Sequence, residues 1–281
     1  MDIPNAAVAV AAPGRGPQRW AGAPSAALDD DGSIVLAYRV RGDRDRNVLA
    51  RSADGEHFET VATFETDGMV ERPALVRTPA GWRMYTSCST PGTKHWWIGL
   101  LEASTVEGLA SARHRPVLGG DERTGVKDPV VRFDGNRWHV WICCHPLDVP
   151  GAEDRMSTAY TTSVDGVTWS PPRTVLSGRA GRWDARGARL TGFLPNGMVS
   201  YDGRATAAEN WFERTGFADA TTFTPLDGEP LDLRYLEVLA LADGSHRAYW
   251  EGRIGDGTHE LRTAPWPNVV SCVDDVVRSP A

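Results

Sequence analysis

Apolar and polar residues alternate over short runs along most of this chain, the pattern of strands rather than helices. The runs come in pairs closed by turn residues. The clearest pair is Val126-Lys127-Asp128-Pro129-Val130-Val131-Arg132-Phe133, then Asp134-Gly135-Asn136, then residues 137–142. Asp-Gly between two alternating runs is a strong hairpin signal. Pro129 has no backbone donor and suits the start of a strand better than its middle. The Asp128 carboxylate is therefore expected at a strand entrance.

The same outline occurs four more times. Residues 20–28 turn at 29–32, 71–76 at 79–81, 183–191 at 195–197, and 235–241 at 243–244. Pro24 to Pro73 spans 49 residues, Pro73 to Pro129 spans 56, Pro129 to Gly187 spans 58 and Gly187 to Glu237 spans 50. Third strands follow at 48–52, 96–102, 156–163, 211–215 and 259–263, two of them leading into a Ser-x-Asp-Gly corner with an aromatic behind it (Phe58, Trp169). A period near 50 residues with several strands per unit predicts an all-β fold, a five-bladed β-propeller of four-stranded antiparallel blades. One domain, residues 1–281, is expected, with blades at about 20–66, 67–120, 121–178, 179–232 and 233–281. Residues 6–12 read as an edge strand closing the last blade. The alternative is two or three stacked sandwich domains.

Composition narrows the function. A net charge of −7 argues against a nucleic-acid surface. No apolar run is long enough for a membrane helix. The N-terminus lacks the basic and apolar regions of a secretion signal, so a cytoplasmic location and free thiols are expected for Cys88, Cys143, Cys144 and Cys272. Cys88 and Cys143 read as buried hydrophobes at matching places in their hairpins. Cys143-Cys144-His145 is a poor metal site, because neighbouring strand residues face opposite ways. No metal or cofactor is expected, beyond a cation or water in the central channel beside His145. Eleven Trp residues suit a sugar-binding face.

In such a ring the starts of the inner strands meet at one end of the channel. Ala23, Arg72, Asp128, Arg186 and Leu236 are placed there, with Glu71, Lys127, Asp184, Arg189 and Glu237 beside them. Crowded charge is costly when partly buried, so a pocket for a polyhydroxylated or anionic ligand is expected, its partner a small carbohydrate. Asp128, Glu71 and Glu237 are the candidate catalytic carboxylates, Asp128 to orient and tune and the two Glu as acid and base. Arg186 and Arg189, read as pointing to one side of their strand, are candidates to clamp a ligand. Arg72, Lys127, His145, Asp184, Asp202, Arg204, Glu209 and Asn210 complete the binding set. Against these readings stand a strand-start cap for Asp128, a turn for Asp184, and ion pairs for the rest.

The five-blade period and the Lys127-Asp128-Pro129-Val130 strand resemble the five-bladed propeller glycosidases: family 43 of the glycoside hydrolases, the invertase and levansucrase group, and the mannoside phosphorylases. The resemblance implies that Asp128 matches the third-blade Asp that modulates pKa and positions substrate. The first-blade catalytic Asp has no counterpart, since Ala23-Pro24-Ser25 stands there. At the place of the fourth-blade acid Glu stands Arg186-Gly187-Ala188-Arg189. The resemblance implies a hydrolase or phosphorylase acting on a small glycoside. The alternatives are a propeller that binds a sugar or acidic metabolite without cleaving it, or a tailoring enzyme reusing the scaffold.

Overall fold

The computed structural model describes residues 3–266, so Cys272 lies outside the described residues. Nineteen strands run in order: β1 (Ala7–Val10), β2 (Trp20–Leu28), β3 (Ile34–Arg41), β4 (Arg46–Ser52), β5 (Glu59–Phe64), β6 (Ala74–Thr78), β7 (Gly81–Ser89), β8 (Trp96–Ala103), β9 (Arg115–Leu118), β10 (Thr124–Phe133), β11 (Trp138–Pro146), β12 (Ser157–Ser163), β13 (Arg173–Ser177), β14 (Gly187–Phe193), β15 (Met198–Arg204), β16 (Arg214–Asp219), β17 (Arg234–Ala240), β18 (His246–Arg253) and β19 (His259–Pro265). They form five successive antiparallel meanders, β2–β5, β6–β9, β10–β13, β14–β16 and β17–β19. β1 pairs antiparallel with β19, so the N-terminal strand completes the last blade. A single parallel pair, His259 with Trp20, joins the last blade to the first.

The ring closes through its cores. The inner strands β2, β6, β10, β14 and β17 each pack on the next, and β17 returns onto β2. Five apolar clusters fill the five gaps between blades. The second strands explain why. On β3, Val35 and Ala37 face the second blade while Ile34, Leu36 and Tyr38 face the fifth. A strand with a neighbour on both faces must be apolar on both. The two Ser-x-Asp-Gly corners are also blade locks. Ser52 Oγ accepts from Gly55 N at 2.8 Å, and Ser163 Oγ from Gly166 N at 2.9 Å. Each glycine carbonyl then accepts a tyrosine hydroxyl from the adjoining blade, Tyr249 and Tyr85.

Three details differ from expectation. The fourth blade has three strands. Residues 221–232 form no ladder with β16, bridging it only through Pro225 and Leu231, and Pro225 and Pro230 have no donor to extend one. Its third strand begins at Arg214, not Trp211. The inner-strand register also differs. Gly22, Glu71, Lys127, Arg189 and Arg234 stand opposite Arg39, Ser87, Cys143, Asp202 and Glu251. A bulge then follows in β2, β10, β14 and β17. The matching positions are thus Ala23, Arg72, Asp128, Leu190 and Tyr235; Arg186 and Leu236 do not belong to the set. A bulge adds a residue to one strand and shifts the alternation behind it. Ser87, not Cys88, is the counterpart of Cys143.

Candidate active site

Ala23, Asp128 and Tyr235 share one backbone conformation, with φ of 52°, 50° and 52°. Non-glycine residues rarely sit in this left-handed region. Here it turns three side chains of the first, third and fifth blades toward the axis. The first blade thus keeps the geometry of Asp128 and carries a methyl group in its place. Gly22 beside it is required, because a Cβ there would collide with the Glu251 carboxylate.

Around these bulges lies a continuous buried network. Arg189 Nη1 donates to Asp128 Oδ2 at 3.0 Å and its Nη2 to Asp202 Oδ2 at 2.8 Å. Asp202 also accepts from Thr215 Oγ1 at 2.7 Å and Tyr235 N at 3.0 Å. Asp128 accepts the Arg72 N–H at 3.1 Å, and its own N–H donates to Ser87 Oγ at 2.8 Å. Arg39 pairs with Glu71 and, at 2.6 Å, with Glu251. Arg41 reaches Glu71 at 2.8 Å. Arg234 binds Glu251 at 2.9 Å and Glu213 at 3.1 Å, and Glu213 pairs with Arg204. Seven buried cations (Arg39, Arg41, Arg72, Lys127, Arg189, Arg204, Arg234) face five buried carboxylates (Glu71, Asp128, Asp202, Glu213, Glu251). Half-buried Asp154 and Glu237 neutralise its two edges.

Lys127 occupies the centre differently. Its ammonium lies 3.6 Å from Glu71 Oε1 and 3.9 Å from Asp128 Oδ2, and 4.8 Å from the Trp96 ring. It therefore sits between two carboxylates without a short bond to either. Burial works to raise the Glu71 pKa, but Arg39, Arg41 and Lys127 outweigh it and hold the carboxyl well below its usual range. Glu213 is brought down to about 2, with Arg234, Arg189 and Arg204 overcoming its burial. Asp202 is pushed up, because burial outweighs Arg189.

The strand-start rim above this network is aromatic. Trp20 stacks on His259 at 4.7 Å, and Trp211 meets Trp20 edge-on at 5.8 Å. Trp211 has φ of 73° and is 41% exposed. A bulky residue held there is strained, and such strain collects at functional positions.

The remaining expected residues fall in three places. Arg72 crosses the channel. Its Nε donates to Pro24 O at 3.1 Å, Nη1 to Pro129 O at 3.0 Å and Nη2 to Glu237 Oε2 at 2.7 Å. Glu237 therefore lies beyond the bulges, on a different level from Glu71. Burial raises its pKa in spite of Arg72. At the network edge, Arg186 binds Asp154 through two bonds of 2.9 Å. Arg189, three residues on, points elsewhere, so the two do not share a side. Arg204 donates to Asn210 Oδ1 at 2.9 Å, while Glu209 accepts the Ala205 N–H at 2.7 Å and serves its own loop. His145 donates from Nδ1 to Glu153 O at 2.8 Å and has Cys143 Sγ 3.4 Å from Nε2. Burial, with Lys127 nearby, holds it well below the usual histidine pKa and hence neutral. Asp184 is outside the network, held by Arg179 at 2.9 Å and the Tyr201 hydroxyl at 2.8 Å.

No protein-family model matches the sequence, and no curated protein matches it in sequence. Solved structures do match. A thermostable family-43 glycoside hydrolase superposes with a TM-score of 0.71 at 11% identity, covering 92% of each chain. The β-1,2-mannobiose phosphorylase from Listeria innocua gives 0.62 at 13% identity, over 90% of this chain and 92% of that one. The α-L-arabinanase of Penicillium chrysogenum, complexed with arabinobiose, gives 0.62 at 10% identity, over 93% and 98%.

The chain shares the propeller fold of these structures. At such identities the likeness is one of architecture, and the residues of the site must be judged on their own geometry. Arg39, Glu213, Arg234, Glu251 and Trp20 were not in the expected set. One signal was there: Arg39, Asp202 and Glu251 each place a charge at the same register position near the end of an apolar second strand.

Proposed function

We propose that this chain is a carbohydrate-active enzyme, a glycoside hydrolase or phosphorylase, that seats a small saccharide at the strand-start end of its channel. The observation that carries the reading is the Glu71–Lys127–Asp128 arrangement. Both carboxylates lie within 3.9 Å of one ammonium. A carboxylate beside a cation and a second, positioning carboxylate is the kind of group that glycosidic cleavage uses as base or nucleophile. Glu71 is held ionised, which suits a base or nucleophile and not a proton donor. Asp128 positions the sugar and sets the charge around it. Trp211, exposed at the rim and backed by Trp20, offers an apolar face for a sugar ring. Glu237, on another level, is not paired with Glu71 in this scheme.

A second reading is binding without cleavage. It is favoured by the pairing of the buried carboxylates with guanidinium groups and by Ala23 at the first-blade position. A panel of aryl glycosides, assayed with and without inorganic phosphate, separates the two. Turnover by wild type that Asp128→Asn abolishes supports the enzyme. No turnover, with saccharide binding seen by calorimetry, supports the binding protein. Neither turnover nor binding overturns both.

A further inference from the structure

On the side away from the charged network, the five inner strands end around a second cavity of about 330 Å³. Every blade contributes a wall, including Ser25, Leu75, Arg132, Phe193 and Glu237, with His246 at its edge. Arg72 forms the floor, fixed by the carbonyls of Pro24 and Pro129 and by Glu237. The cavity is thus cut off from Lys127 and Asp128 above.

Its charge is not balanced. Glu237 is already taken by Arg72 at 2.7 Å. The Arg132 guanidinium lies 4.1 Å over the Phe193 ring, and the opposite charge acting on it is that same Glu237. One carboxylate therefore serves two guanidinium groups, and Arg132 keeps its planar fork of donors for a ligand. Ser25 Oγ accepts the Leu75 N–H at 3.0 Å, which leaves its hydroxyl hydrogen to donate. The volume is at the small end for ligand pockets, which run from about 300 to 1,000 Å³.

We propose that this cavity is a binding site for a small organic carboxylate of monosaccharide size, a sugar acid, with Arg132 holding the carboxylate and Ser25 a hydroxyl. A planar fork matches a carboxylate, whereas a phosphate dianion would face Glu237 with only one unpaired guanidinium beside it. The site is separate from the strand-start mouth and does not depend on catalysis there.

Calorimetric titration of the full chain with glucuronate, glucose and inorganic phosphate tests it. Glucuronate is expected to bind in the millimolar range or tighter, with glucose and phosphate at least about 10-fold weaker. Arg132→Gln, on an exposed side chain, should weaken glucuronate about 10- to 100-fold while the thermal midpoint holds, and Arg132→Lys should recover part of it. Trp211→Ala should leave glucuronate binding unchanged. The proposal is overturned by no glucuronate binding, by phosphate binding tighter than glucuronate, or by loss of binding in Trp211→Ala with none in Arg132→Gln.

Discussion

The two ends of the channel are made by the same five strands and differ by a few residues of rise. Ahead of the bulges the strands present Gly22, Glu71, Lys127, Arg189 and Arg234. Behind them the same strands present Ser25, Ala74, Val130, Gly192 and Glu237. The first level is charged at four of five positions and draws in Arg39, Asp202 and Glu251 from the second strands. The second has one carboxylate, Glu237, bound by Arg72 reaching through. Behind the bulges four of the five inner-strand positions are small or apolar, so the fold does not need charge at every level of its axis. Buried ion pairs are weak contributors to stability compared with well-packed apolar groups. The charge at the strand-start end is therefore not something the fold demands, and the proposed saccharide site gives it a reason.

The sharpest way to break the comparison is to unpair each level. Glu251→Gln leaves Arg39, Arg234 and His259 without their shared carboxylate, and should lower stability by about 3–5 kcal/mol. Glu237→Gln still offers Arg72 an acceptor, and the two carbonyl bonds remain; about 1–2 kcal/mol is expected. Urea unfolding of the two variants measures both. Equal losses would mean that the two levels are energetically alike.

Acid should act on the first level before the second. Glu71, Glu213 and Glu251 have depressed pKa values in the folded chain, so their contribution is present above the unfolded carboxylate range and is lost as pH falls through the folded values. With Glu213 at about 2, stability should drop between roughly pH 4.5 and 2. Glu237 and Asp202 are raised, so they carry the opposite sign: they favour the fold below the unfolded pKa and weaken it as pH rises through their folded values. A pH series of denaturation midpoints shows the sum, and Glu237→Gln should remove part of the neutral-pH weakening while leaving the acid drop in place.

The smallest effect on folding belongs to the rim. Trp211→Gly replaces a strained left-handed residue with one that adopts this φ freely, which should offset the lost contact with Trp20 to within about 1 kcal/mol. Saccharide affinity should fall roughly 5- to 10-fold with the apolar face gone. Loss of stability without loss of affinity would make Trp211 a packing residue.

Much of this architecture was legible in the residues. Asp-Gly and Asn-Gly turns and the repeat near 50 residues, marked by Pro24, Pro73 and Pro129 in or just before inner strands, give the blades, because turn chemistry is local. Asp128 was legible only in part: Pro129 reads as the first residue of its strand, whereas β10 begins at Thr124 and Asp128-Pro129 form the bulge in its middle, where a missing backbone donor is also tolerated. The register behind the bulges was not. An extra residue in β17 leaves no mark on composition, so Leu236 is expected where Tyr235 stands; Arg186 is expected where Leu190 stands because residues 183–186 read as strand, whereas they are turn and β14 begins only at Gly187. Nor was the pairing. Arg39 and Glu251 are 212 residues apart and meet because the ring closes there. Glu213 and Arg234 lie on or beside blades that no spacing rule brings together. Asp184 misled for a local reason, as its neighbour Arg179 and Tyr201 satisfy it within the fourth blade.

The central claim is that Asp128 sits in a working site and not in a structural knot. Initial rates on the best aryl glycoside, for wild type and Asp128→Asn side by side with their unfolding midpoints, test it most directly. The account predicts a rate loss of about 100-fold or more alongside a midpoint that keeps the variant folded under assay conditions. Rates that match between the two folded proteins would contradict it.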